Sequence, residues 1–177
     1  MANVIFIIGP TGVGKSRLCE GLIQRDKRFK HIELDSIGGS DYEKLNKAKE
    51  LIPELENKKE DSFIYLVDVG AFFQHYFDDN FWKGRGGRMI YLENTEDFCF
   101  ANYNSRDGKN RKTREEWRSK EFCNMRKKLY SSANYSVSTE QDLSSTVEEA
   151  LESIKKINYK IFNSIQFSSP PKPLILE

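Results

Sequence analysis

Gly9-Pro10-Thr11-Gly12-Val13-Gly14-Lys15-Ser16 is the stretch on which the reading of this chain turns. It follows an apolar run, residues 3–8, and precedes residues 14–25, whose pattern predicts a helix. The spacing is Gly-x-x-x-x-Gly-Lys-Ser, placed between a strand and a helix as a phosphate-binding loop requires. The glycines let the backbone curl so that its N–H groups face inward, and the helix adds its positive dipole end. Lys15 is expected to reach the β- and γ-phosphates and Ser16 to offer its hydroxyl to Mg²⁺. The nucleotide is therefore expected along Gly9, Thr11, Gly12, Val13, Gly14, Lys15, Ser16 and Arg17.

Outward from the loop, strands and helices alternate. Strands are predicted at 3–9, 29–35, 62–68, 88–93 and 134–139. Helices are predicted at 14–25, 40–60, 69–79, 94–105, 113–133 and 145–157. Pro53 is expected to kink or split the second helix, and Thr113-x-x-Glu116 opens the fifth with a capping-box pattern. This order implies an α/β fold, a parallel sheet with helices on both faces. Residues 1–157 read as one domain, and 158–177, with Ser-Ser-Pro-Pro-Lys-Pro, as an extended or disordered C-terminal tail.

Composition narrows the function. Lys and Arg total 28 against 27 Asp and Glu, a net charge of +1 that does not favour bulk electrostatic binding to nucleic acid. Cys19, Cys99 and Cys123 form no CxxC pair, which predicts neither a disulfide framework nor a zinc site and points to a reducing, cytoplasmic setting. His31 and His75 are the only histidines, too few for a histidine-rich metal site. The N-terminal apolar run is too short to span a membrane. No Asn-Lys-x-Asp guanine motif occurs and no apolar strand ends in Asp-Glu, which disfavours GTPase switches and large ATPase motors. A small phosphotransferase remains.

Such an enzyme must activate an acceptor beside the γ-phosphate. Glu33 and Asp35, two apart at the end of the second strand, are expected to share a face at the sheet edge where open α/β sheets bind ligands. Glu33 is placed near Mg²⁺ and Asp35 on the acceptor hydroxyl as its base. At the end of the third strand, Gly70 is expected to bring the backbone close to the acceptor, and Asp68 either to serve Mg²⁺ or to hydrogen-bond the acceptor. Arg106, Lys109, Arg111, Lys112, Arg114 and Arg118 surround a flexible Asp107-Gly108 and predict a lid over about 105–118. Arg106 or Arg111 is expected to be its catalytic arginine, closing over the phosphates. Arg118, Phe122 and Arg126 fall at i, i+4 and i+8, which aims Arg126 at the acceptor.

These pieces resemble shikimate kinase and its small-kinase relatives of the nucleoside-monophosphate-kinase-like group. The likeness spreads over about 1–157 and rests on residues 9–16, on Glu33-Leu34-Asp35 in place of an Asp-x-Asp, on residues 88–98, and on Arg126, Tyr130, Ala133 and 137–139. The resemblance implies a three-layer P-loop NTPase fold, a five-stranded parallel sheet in the order 2-3-1-4-5 with a small lid, ATP as donor and Mg²⁺ as cofactor. Two departures touch the acceptor. The family's triple glycine after strand three is Asp68-Val69-Gly70 here. No arginine lies between Arg28 and Arg85 to clamp a carboxylate, a loss of about 1.5–3 kcal/mol, which removes support for shikimate itself. The loop also resembles that of guanylate kinase, without that family's arginine-rich GMP-binding segment.

The expectation is a kinase acting on ATP and an acceptor that is a small hydroxylated metabolite or a nucleotide, with a nucleic-acid 5′ end less favoured. Monomer and dimer both stay open. The competing reading is a nucleotide-binding regulatory protein that has lost turnover.

Overall fold

The computed structural model describes residues 4–58, 62–105 and 112–157. Five parallel strands form the sheet: β1 (Val4–Ile8), β2 (Phe29–Glu33), β3 (Ile64–Asp68), β4 (Met89–Glu93) and β5 (Tyr135–Ser138), in the spatial order β2-β3-β1-β4-β5. This is the expected topology. Every residue of β1 and β3 is buried, which explains why both read as continuous apolar runs rather than alternating ones.

Alternate residues of the central strands feed two cores. Ile5, Ile7, Leu66, Ile90 and Leu92 face one side. There they meet α1 (Lys15–Arg25), α5 (Glu96–Ser105), α6 (Arg114–Glu121) and α8 (Leu143–Ile157). Val4, Phe6, Ile8, Val67 and Met89 face the other. They meet α2 (Asp41–Asn57), α3 (Ala71–Tyr76), α4 (Asp79–Trp82) and α7 (Asn124–Ser131). The parallel register, Glu33 beside Asp68 and Ile7 beside Asp68, brings the strand ends together at one edge of the sheet.

Four local expectations need correction. Pro53 does not split α2, because Ala48, Ile52 and Leu55 hold the helix to the core on both sides of it. The expected helix 69–79 is two short ones: Phe77 is extended, and Asp78 caps α4 by accepting from the Phe81 N–H at 2.8 Å. Strand β2 stops at Glu33, and a 3-10 turn, Leu34–Ser36, buries Leu34 and carries Asp35 off the strand. The expected helix 113–133 breaks at Phe122 and Cys123 into α6 and α7. Its two halves serve opposite sides of the sheet: Trp117 belongs to the first core, Leu129 and Tyr130 to the second. No straight helix can bury both. Arg118, Phe122 and Arg126 therefore do not share a helix face. Among the described residues, no helix is long and apolar enough to cross a membrane.

Candidate active site

The phosphate loop joins β1 to α1. Gly14, with φ 103°, caps α1 without a side-chain hydrogen bond, and an added Cβ there would meet nothing within 4 Å. The N-terminus of α1 opens into the cleft, and no acidic residue sits in its first turn. Gly12, with φ +93°, faces the opposite constraint: a Cβ would lie 2.1 Å from the Cys99 carbonyl oxygen of α5. The loop is thus pressed on α5, and Asn102 Nδ2 donates to the Gly12 carbonyl at 3.0 Å. Lys15 Nζ arches back to donate to the Gly9 and Pro10 carbonyls at 3.1 and 3.3 Å. The Val13 side chain is core, so only its backbone is available to a ligand. Thr11 lines the cleft, but its N–H and hydroxyl donate to Glu121 at 3.0 and 2.9 Å.

Carboxylates floor the cleft. Asp68 is 3% exposed and accepts from the Ser16 hydroxyl at 2.7 Å. His31 Nε2 stands 3.7 Å from the same Asp68 oxygen. Burial alone would raise the Asp68 pKa, but His31, Lys15 and Ser16 together hold it below the usual carboxylate range. Asp35 behaves oppositely. Withdrawal of its carboxylate from water raises its pKa, Asp68 and Glu33 push the same way, and Lys15 and Lys44 oppose. Its carboxylate lies against Gly70, where a Cβ would come within 2.0 Å of both oxygens. Gly70 is a glycine in ordinary backbone geometry (φ −64°), so what demands it is the Asp35 carboxylate. Glu33 is exposed at the end of β2 and lines the same cleft. Among the described residues, no three His, Cys, Asp or Glu side chains cluster as a metal site by themselves. A hydroxyl beside one or two carboxylates suits Mg²⁺ that is otherwise held by phosphates and water.

Arg126 is placed differently from its expectation. It is 4% exposed, ion-paired with Glu121, and donates to the Ala71 carbonyl at 2.7 Å. It borders the cleft at Ala71 while both of these groups occupy it. Arg118 pairs with Glu96 at 2.9 Å and Arg114 with Asp97. Arg106, Lys109 and Arg111, with the whole of 106–111 in the expected lid, lie outside the described residues.

Several participants were not anticipated. Glu121 braces the loop through Thr11. Gln74 is 1% exposed and donates to the Gly9 and Val69 carbonyls at 3.0 and 2.6 Å. Beyond the loop from Asp35, a second recess is lined by Gly14, Arg17, Phe98, Asn102, Thr139 and Gln141. Phe98 is 41% exposed there, an aromatic surface beside the start of α1. Phe98 entered the sequence reading only as the end of the 88–98 stretch that carries the resemblance, and nothing local marked Gln74 or Glu121.

No protein-family profile matches the chain, and no curated sequence matches it significantly. Solved structures do. A gluconokinase from Sinorhizobium meliloti 1021 is similar with a TM-score of 0.51 at 17% identity, over 93% of this chain and 98% of that one. A shikimate kinase from Bacteroides thetaiotaomicron is similar with a TM-score of 0.57 at 18% identity, over 86% and 98%. One from Aquifex aeolicus vf5 gives 0.57 at 18%, over 92% and 98%. The chain has the fold of the small P-loop kinases.

Proposed function

We propose that this protein is a small kinase that transfers the γ-phosphoryl group of ATP to a hydroxyl of a small acceptor. One observation carries the reading: the bare start of α1, Lys15, the Ser16–Asp68 pair and Asp35 all face a single cleft. A phosphate loop serving only as a tight turn has no need of a second carboxylate across from it.

The loop N–H groups and the start of α1 hold the phosphates. Lys15 exchanges the Gly9 and Pro10 carbonyls for phosphate oxygens. Ser16 and Asp68, with Glu33 nearby, hold Mg²⁺, which supplies charge neutralisation on the transferring group. Asp35 accepts the acceptor's hydroxyl proton as the new O–P bond forms and the bond to ADP breaks; its raised pKa makes it a better base. The recess around Arg17 and Phe98 takes the base of the donor. Gly70 keeps the backbone clear of Asp35, and Arg126 acts through Glu121 and Ala71 as a strut beside the acceptor.

The test is ATP turnover against shikimate, gluconate, sugars, nucleosides, nucleoside monophosphates and a 5′-hydroxyl oligonucleotide. Asp35→Asn is expected to lower transfer to the stimulating acceptor by about 10²–10⁴-fold with ATP affinity retained. Unchanged transfer in that variant refutes the base assignment.

A second reading, nucleotide-dependent regulation without turnover, draws on Arg126 directing its two terminal guanidinium nitrogens to Glu121 and the Ala71 carbonyl. ATP binding with no stimulation by any acceptor favours it.

A further inference from the structure

The paired length of β1 and β3 ends with Ile7 beside Asp68 and one further bond, from the Val69 N–H to the Ile7 carbonyl at 3.0 Å. There the two chains part. β1 runs into the phosphate loop at Gly9, and β3 turns at Gly70 into α3. Gln74 spans the fork. Its backbone N–H donates to the Gly70 carbonyl at 3.1 Å. Its side chain reaches back, and Nε2 donates to the Gly9 carbonyl at 3.0 Å and to the Val69 carbonyl at 2.6 Å. Two carbonyl acceptors on one atom identify it as the amide nitrogen and use both of its N–H bonds. A primary amide does this without charge, whereas Lys or Arg would carry a charge into a position 1% exposed.

The Gly9 carbonyl has a second donor, Lys15 Nζ at 3.1 Å. Gly9 is buried and packed on β4, where a Cβ would lie 2.7 Å from the Leu92 carbonyl oxygen, so it does not turn this oxygen to water. Lys15 meets phosphates by giving up the two carbonyls it now holds. The Pro10 carbonyl then keeps the Val13 N–H at 3.3 Å, and the Gly9 carbonyl keeps Gln74. The move therefore orphans neither carbonyl, and an orphaned buried acceptor is what would oppose it.

We propose that Gln74 is a positioning residue for the phosphate loop, which acts on Lys15 through the carbonyl they share and frees its ammonium for the nucleotide phosphates. The inference rests on the assignment of Lys15 to the phosphates under the proposed function. It fixes where the loss falls when Gln74 gives up its donors. Without nucleotide, Lys15 still satisfies the Gly9 carbonyl; with nucleotide bound, neither side chain does. The Val69 carbonyl loses its Gln74 bond in both states and cancels from the affinity.

The test is a double-mutant cycle on the affinity for Mg·ATP, read by calorimetry in the full chain, Gln74→Met, Lys15→Ala and the double variant. Gln74→Met keeps the reach of the side chain and removes both donors. With Lys15 present it is expected to weaken Mg·ATP binding by about 5–150-fold, the factor that one unsatisfied buried acceptor imposes. In the Lys15→Ala background the Gly9 carbonyl has the same partners before and after binding, so the same substitution should change the affinity by less than about twofold. A merely structural Gln74 would weaken binding by the same factor in both backgrounds. That outcome overturns the proposal, as does full affinity in Gln74→Met alone. Gln74→Glu has the same shape and at most one hydrogen to donate, and it carries the same cycle if urea unfolding shows that Gln74→Met does not fold. The underlying reading fails separately. Lys15→Ala that binds Mg·ATP as tightly as the unaltered chain refutes the assignment of Lys15 and this inference with it, whereas additivity beside a weakened Lys15→Ala refutes the role of Gln74 alone.

Discussion

Gly12 and Gly14 form a matched pair for testing how the phosphate loop is held. Both have positive φ, +93° and +103°. An alanine at either therefore carries a similar conformational cost, about 1–2 kcal/mol. They differ in what the new methyl group meets. At Gly14 it meets nothing within 4 Å; at Gly12 it lies 2.1 Å from the Cys99 carbonyl oxygen and 3.1 Å from the Tyr103 nitrogen, both backbone atoms of α5. Relief requires α5 and the loop to separate by about 1 Å, which overstrains the packing (about 1–3 kcal/mol) and breaks the Asn102–Gly12 bond (about 1 kcal/mol). Gly12→Ala is expected to destabilise by about 3–6 kcal/mol in all, and Gly14→Ala by about 1–2 kcal/mol. Urea unfolding at neutral pH reads both. The difference corresponds to a fall in Tm of several degrees, at about 2–4 °C per kcal/mol for a chain of this size. Nucleotide binding should reverse the emphasis, because the Gly14 methyl projects into the space assigned to phosphates. If the two variants are equally stable to within about 0.5 kcal/mol, the loop does not rest on α5 as described.

Four further outcomes follow from the same geometry. Arg126→Met leaves Glu121, 2% exposed, without its cation and should cost about 3–5 kcal/mol in urea unfolding; a cost under about 1 kcal/mol would place the pair at a solvated surface. Arg126→Met combined with Glu121→Gln should recover part of that loss, and strict additivity of the two would deny the coupling. The His31 pKa is raised, chiefly by Asp68 and further by Glu33, against partial burial. Its native state therefore binds more protons than the unfolded chain between the unfolded value, about 6.5, and the raised one. That contribution to stability is complete below the unfolded value and is lost as pH rises through the folded one; His31→Gln should flatten the slope of unfolding free energy across this range. Cys19 and Cys99 are fully buried, with burial pushing the Cys99 thiol up to about 11, whereas Cys123 is partly exposed. Ellman's reagent should titrate one thiol rapidly in the native protein and three in urea, and fast labelling of all three would contradict the packing of α1 and α5.

Much of the fold was legible because its signals are local. The apolar runs of β1 and β3, the Thr113-x-x-Glu116 box and the stripe Val147, Ala150, Leu151 and Ile154 of α8 each report their element without reference to the rest of the chain. Boundaries failed where packing overrode periodicity. Residues 113–133 carry one helical pattern, but Trp117 and Tyr130 belong to opposite faces of the sheet, and that division appears only once the sheet exists.

The candidate site divides the same way. The sequence by itself determined a phosphate loop between a strand and a helix, a parallel α/β order, and acids at the ends of β2 and β3, because spacing within a short segment suffices for each. Only the tertiary structure decided that Asp35 rests on Gly70, that Ser16 meets Asp68 across 52 residues, and that Glu121 holds Thr11 across 110. It also turned Arg126 from an expected acceptor contact into half of a buried ion pair. The physical reason is range. A turn or a helix is specified by neighbours along the chain, whereas these contacts depend on strand order, on the register of β2 against β3, and on the face of the sheet to which each helix is assigned. The fold sets all three as a whole, and no segment carries them alone.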